Sequence, residues 1–291
     1  MLLRFIILVI TIQPYFLLNA EQIHKSRSIY RNVVITQDDN IRCMRFETRR
    51  RQVSNQTCID LDDKNNLVFE YAHGTLAGLS HNPAPERILI LGLGGGTLSN
   101  VLHQISPNSE IIAVDIDPVV KDLAVEYFDY QENNQVKTEI KDARVYVKRA
   151  LLNKQKFDWI ILDAFNGDYI PEHLMTKEFL TEVKKLLPKN GLVTANTFST
   201  SDLYDYESVT YQAVFSKLYT YQTPTKGNRI IYACNCEAFD FPRTITPALE
   251  QTLAQFSVDY SDVSSEITDK INWDEDSELL TDQYSPANLL K

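Results

Sequence analysis

Four glycines in five residues, Gly92-Leu93-Gly94-Gly95-Gly96, follow the apolar segment Ile88 to Leu91 and lead directly into Thr97. Without side chains the backbone is open to a close ligand, and the free N–H groups of a helix start can receive it. An acidic pair follows at Val114-Asp115-Ile116-Asp117-Pro118, about twenty residues on, where a strand end offers oxygens to two ribose hydroxyls. Gly92, Gly94, Gly95, Gly96, Asp115 and Asp117 are therefore the candidates for a nucleoside site. Asp142, after the segment Lys137 to Ile140, is placed to accept an adenine amine and equally to cap a helix starting at Ala143. Asp163 closes the next apolar run, Trp159 to Leu162. There it could orient or deprotonate an amine nucleophile, or cap the next turn.

These acids fall at successive strand ends only if the chain folds as a parallel sheet between helices. The sequence predicts that from Arg87 onward. Short continuous apolar runs at 88–91, 111–114, 137–140, 159–162 and 192–196 alternate with amphipathic stretches at 97–104, 118–127, 143–153 and 176–187, the signature of a sheet covered on both faces. A further helix is expected near 204–218. After it, 219–223 and 229–234 read as an antiparallel hairpin turned by Lys226-Gly227-Asn228. Before the sheet, runs at 32–36, 41–46 and 57–61 predict a small antiparallel β unit, with the basic Arg49-Arg50-Arg51 in a solvated turn. The fold class is thus α/β, a Rossmann-like sheet behind an N-terminal β unit. Four segments follow: residues 1–20, a β unit at 21–79, the donor-binding domain at 80–240, and a C-terminal helix and tail at 241–291.

The chain has 291 residues with 44% hydrophobic and 23% charged, a globular mix that excludes a disordered chain. A net charge of −10 supplies no positive field for nucleic acid, which is not expected as a partner. Residues 1–20 carry Arg4, apolar runs and a terminal Ala20, and read as a signal peptide directing the chain to the secretory route, secreted or retained in an endomembrane lumen. A membrane enters only if that segment is uncleaved. Cys43 and Cys58 could close a hairpin, whereas Cys234 and Cys236 lie on the same face of a predicted strand and could pair only with local strain. Zinc is the competing reading, but the four make no pair of CxxC knuckles and no His stands at ligand spacing, so no metal is expected. Asn55-Gln56-Thr57 is a glycosylation sequon. His73 and His173 read as ordinary surface residues. From Ser257 on, nine acidic residues oppose two lysines, but Trp273, Leu279 and Leu280 predict that part of this tail packs back.

From Tyr71 through Leu79-Ser80-His81-Asn82-Pro83, the glycine loop, Asp115-Ile116-Asp117, Asp142 and Leu162-Asp163, the chain resembles the spermidine synthase (polyamine aminopropyltransferase) family. Asp163-Ala164-Phe165-Asn166-Gly167-Asp168 and Leu280-Thr281-Asp282-Gln283-Tyr284-Ser285-Pro286 look like its divergent, methyltransferase-like branch. The resemblance implies an S-adenosyl co-substrate, Asp163 as the catalytic carboxylate, Tyr71 on the acceptor side and a homodimer. It also sets out departures. The family's acid inside the glycine loop is Gly95 here, and its second acceptor carboxylate is Asn166, leaving Asp168 as a replacement anchor. Losing the loop acid removes a charge that would repel the carboxylate of intact S-adenosylmethionine. Methyl transfer from that donor is therefore the leading expectation. The alternatives are aminopropyl transfer from the decarboxylated donor to a polyamine, and a catalytically silent binding protein of the same fold. The acceptor is not specified by the sequence.

Overall fold

The computed structural model describes residues 20–47, 53–167 and 169–286. Four strands, β1 (Glu21–Arg27), β2 (Asn32–Asp38), β3 (Ile41–Glu47) and β4 (Val53–Asp60), form an antiparallel meander in chain order. Val33, Ile35, Met44, Phe46 and Ile59 leave its inner face and pack on Val120, Leu123 and Phe128 of helix α3 (Pro118–Tyr127) and its end. Cys43 stands directly opposite Cys58, and the two form the expected disulfide. Strand β1 was not expected: Glu21-Gln22-Ile23-His24-Lys25-Ser26-Arg27 has no buried face and forms because β2 offers it a free hydrogen-bonding edge. The expected signal peptide, residues 1–20, lies outside the described residues except for Ala20, and Arg49 to Arg51 lie outside them as well.

The second sheet has five parallel strands, β5 (Arg87–Leu91), β6 (Glu110–Asp115), β7 (Val136–Ile140), β8 (Trp159–Leu162) and β9 (Leu192–Phe198). The hairpin of β10 (Leu218–Gln222) and β11 (Asn228–Cys234) completes it in the order β10-β11-β9-β8-β5-β6-β7. The central strands are apolar throughout because both faces are covered. Helices α1 (Glu70–Leu76), α2 (Thr97–Ile105), α7 (Pro247–Ala254) and α8 (Tyr260–Glu266) bury one face. Helices α4 (Ala143–Leu152), α5 (Lys177–Leu186) and α6 (Tyr204–Phe215) bury the other. Caps fix the helix starts: Asp117, Asp142 and Thr176 each accept a backbone N–H of the first turn. Helix α6 ends three residues earlier than expected, because Ser216 turns to φ 69° and Leu218 already pairs in β10. Among the described residues no helix is long and apolar enough to cross a membrane.

The acidic tail returns to the domain as expected. Trp273 and Leu280 are buried, and Lys177 N donates to Leu280 O at 2.8 Å. The Arg144 guanidinium grips Asp282 with both terminal nitrogens at 2.6 and 2.7 Å and reaches Glu182 with Nε at 3.1 Å. Bidentate pairs of this kind exceed ordinary surface ion pairs in strength. Arg144→Ala is expected to cost about 1–3 kcal/mol, read as a lower urea midpoint with an unchanged slope.

Candidate functional site

The order of the second sheet reverses between β5 and β8, the point at which open α/β sheets bind ligands beyond their strand ends. A cavity of about 250 Å³ lies there, near the lower end of small-molecule sites. Gly92, Leu93 and Gly94 follow β5 on its floor, Asp115 ends β6, Asp142 follows β7 and Asp163 follows β8. Gly92 has φ 116°, and a Cβ there would stand 2.2 Å from the Asp163 carbonyl oxygen. Only glycine lets the turn after β5 press against the turn after β8, and this sets the distance from loop to carboxylate.

Asp163 is held from two sides. Tyr71 Oη of α1 donates to Oδ2 at 3.0 Å, and Asn196 Nδ2 of β9 donates to Oδ1 at 2.9 Å. Asn196 is itself oriented by Asn228 Nδ2 of β11, which donates to its Oδ1 at 2.9 Å. Burial pushes the Asp163 carboxyl up to about 6 despite these two donors. Burial, with the carboxylate beside it, holds the Tyr71 hydroxyl well above its usual range, so Tyr71 stays a proton donor. The result is a fixed carboxylate that ionises near neutrality, suited to receive a proton from a nucleophile.

Asp115 ties the glycine loop to β6: Oδ2 accepts from Leu93 N at 3.1 Å and Oδ1 from Asp117 N at 2.9 Å. Burial raises its carboxyl above the usual range, opposed by these N–H groups. Asp142 is the helix cap expected of it. Its Oδ1 caps α4 through Val145 N at 2.9 Å, while Oδ2 lies 2.9 Å from His173 Nε2 at the cavity rim.

The structure separates some expected site residues from the rest. Asp117 is fully buried as the cap of α3 and does not line the cavity. Gly95 and Gly96 also lie outside it. A Cβ on Gly95 would stand 2.7 Å from Thr57 Cγ2 and 3.0 Å from the Phe128 ring, so the loop has no room for an acid there until those groups move. Gly96 packs beneath Tyr130. Asp168 lies outside the described residues. Asn55 is exposed on β4, its Oδ1 accepting from Arg45 Nε at 2.7 Å, whereas Thr57 of the same triplet is buried beside the cavity. His73 bonds the Leu67 carbonyl, away from the cavity.

Other residues enter that the sequence did not single out. The β unit contributes Arg31, Phe46, Gln56 and Thr57 to the cavity wall. The Arg31 guanidinium lies 4.3 Å over the Phe46 ring, its Nε is buried without a partner, and Asp115 and Asp117 attract it. Asn196 and His173, both read past in the sequence, complete the set. A polar strand residue or a lone histidine carries no local signal, and only the fold brings them to the acids.

The family model described as the spermine/spermidine synthase domain matches residues 72–240, the segment carrying all four strand-end residues. The chain belongs to the spermine/spermidine synthase family. It is 44% identical over 296 residues to a polyamine aminopropyltransferase of Vibrio vulnificus, covering 99% of this chain and 98% of that protein. Among solved structures, a probable spermidine synthase from Corynebacterium glutamicum superposes with a TM-score of 0.65 at 23% identity, over 88% of this chain and 98% of that one. Human methyltransferase-like protein 13, in complex with SAH, superposes with a TM-score of 0.55 at 24% identity, over 76% of this chain and all of that one. These two structures share the fold expected from the strand pattern. The family uses an S-adenosyl type of co-substrate.

Proposed function

We propose that this family member transfers the aminopropyl group of decarboxylated S-adenosylmethionine to a polyamine amine. The observation that carries it is Asp163, fixed between Tyr71 and Asn196 opposite the glycine loop and ionising near neutrality. In this reading Asp115 holds the ribose, Asp142 the adenine and the glycine loop the sulfonium chain. The acceptor nitrogen attacks the methylene carbon beside the sulfonium. The C–S bond breaks with its electrons on sulfur, giving methylthioadenosine, and the proton of the attacking amine passes to Asp163. Most of the acceleration then comes from positioning for in-line attack. The whole-chain identity to a polyamine aminopropyltransferase supports aminopropyl over methyl transfer, reversing the order the sequence suggested.

Methyl transfer from the intact donor stays as a second reading because the cavity contains the cation Arg31, which suits a donor carboxylate. The two readings separate in one assay. Putrescine-dependent release of methylthioadenosine from the decarboxylated donor is expected. Its absence, with release of S-adenosylhomocysteine from the intact donor, would reverse the choice.

The base role fixes a pH dependence. Asp163 accepts a proton only when ionised, so kcat/KM is expected to rise through pH 6 and level off above it. Tyr71→Phe removes a hydrogen bond made to the charged form. The midpoint of that limb should therefore move upward, by about one unit for a charge-assisted bond. A midpoint unmoved in Tyr71→Phe would assign the limb to another group.

A further inference from the structure

At the end of the seven-stranded sheet opposite the cavity, a histidine and a cysteine pair distant from it in sequence bring their ligand atoms together. His81 precedes β5, Cys234 ends β11 opposite Leu192 at the start of β9, and Cys236 follows two residues on. The His81 nitrogen and the two sulfurs all lie within 4.8 Å of one another, with His81 Nε2 3.7 Å from Cys234 Sγ. His81 and Cys234 are 7% and 3% exposed, while Cys236 is half-buried and gives access from solvent. The two cysteines are joined in this structure. A bridge with a sequence separation of 2 removes little freedom from an unfolded chain, unlike the Cys43–Cys58 bridge with its separation of 15. Stapling therefore does not account for a cysteine pair set against a buried histidine.

We propose that His81, Cys234 and Cys236 in their dithiol state form a zinc site, with two thiolates and a neutral imidazole as ligands and water in the fourth tetrahedral position. Two equivalents of a small thiol reduce the bridge by two electrons and leave as their own disulfide. Zn²⁺ then binds both sulfurs and displaces their two protons to water. His81 Nε2, which bonds Asn190 O at 2.8 Å, turns its lone pair to the metal, and the ring proton moves to Nδ1, a buried nitrogen with no other partner. The site would clamp the turn after β11, which backbone bonds from Asn190 N to Asn235 O and from Asn235 N to Gly191 O already tie to the turn before β9, onto the segment preceding β5. The zinc reading set aside in the sequence for want of a histidine at ligand spacing thus returns, because His81 lies 153 residues from Cys234 and only the fold brings them together.

The test is titration of the reduced, metal-free full chain with Co²⁺ and then Zn²⁺. One equivalent of Co²⁺ should give the d–d absorption of a tetrahedral site with a thiolate charge-transfer band. Zn²⁺ should displace it, and direct Zn²⁺ uptake should release two protons. Cys236→Ser, at a half-buried position that tolerates the change, should cut the thiolate band to about half or less and weaken Co²⁺ binding at least tenfold. His81→Gln should weaken binding at least tenfold, and Cys43→Ser with Cys58→Ser should leave it intact. Circular dichroism of each variant establishes that it is folded. The site is ruled out by a reduced wild-type chain that gives no such band, or by folded Cys236→Ser or His81→Gln protein that binds Co²⁺ like wild type.

Discussion

Asp163→Asn is expected to lower turnover about 10²–10⁴-fold, the range for loss of a positioned general base, while donor affinity stays close to wild type. The asparagine oxygen can still accept from Asn196 and its amide can donate to the Tyr71 oxygen, so the cavity keeps its shape and only the proton acceptor is lost. Stability separates this from a structural defect. Burial raises the Asp163 carboxyl from its ordinary 3.8 to about 6. The folded state therefore binds more protons than the unfolded one between those values, and ionisation of this group lowers stability as pH rises through that window. Above it the full penalty persists in wild type and is absent from the variant. At pH 8 Asp163→Asn should thus unfold at the same or higher denaturant concentration, an inactive protein that is no less stable. Methylthioadenosine release under single-turnover conditions, beside urea unfolding at pH 8, checks both parts. Activity within tenfold of wild type would remove Asp163 as the base.

The fold was legible wherever one physical pattern dominated. β5, β6, β8 and β9 are buried on both faces and read as continuous apolar runs, and Asp142 and Thr176 marked the helix starts they cap. β1 was not legible because its residues are exposed and its pairing comes from β2. In the site, Asp115, Asp142 and Asp163 were found because strand ends at a switch point are known places for acids. Asp117 shows the limit of that reasoning: a Pro at the following position makes the same residue an ideal cap, and the cap prevails. Gly95 shows another. The sequence reads it as open space for a donor, yet Thr57 from a separate sheet fills that space. Arg31 and His173 reach the cavity, and Asn196 reaches Asp163, through tertiary packing alone.

The largest stability effect is expected behind the site, at Arg229→Met. The Arg229 and Glu207 side chains are 2% and 3% exposed, and Nη2 donates to Glu207 Oε2 at 3.2 Å. Nε donates to Thr197 Oγ1 at 3.0 Å, Nη1 to Ser208 Oγ at 2.7 Å, and the guanidinium lies 3.8 Å over the Tyr204 ring. Burial pushes the Glu207 carboxyl up to about 7 even with the arginine beside it. Removing the cation leaves that carboxylate buried and unpaired, which costs about 3–5 kcal/mol. Its pKa must then rise further above the unfolded value, so stability falls as pH rises and the deficit is larger at pH 8 than at pH 6. Adding Glu207→Gln removes the charge and should recover most of the loss, since a buried pair replaced as a unit is far less costly than one broken. The effect should also reach catalysis. Arg229 follows Asn228, Thr197 follows Asn196, and these two asparagines orient Asp163. A strand that shifts to rescue Glu207 moves the base, so the single variant should lose turnover and the double variant regain it. Urea unfolding of both variants at pH 6 and pH 8 decides the matter: a loss under about 1 kcal/mol at both values would mean that water, rather than Arg229, stabilises Glu207.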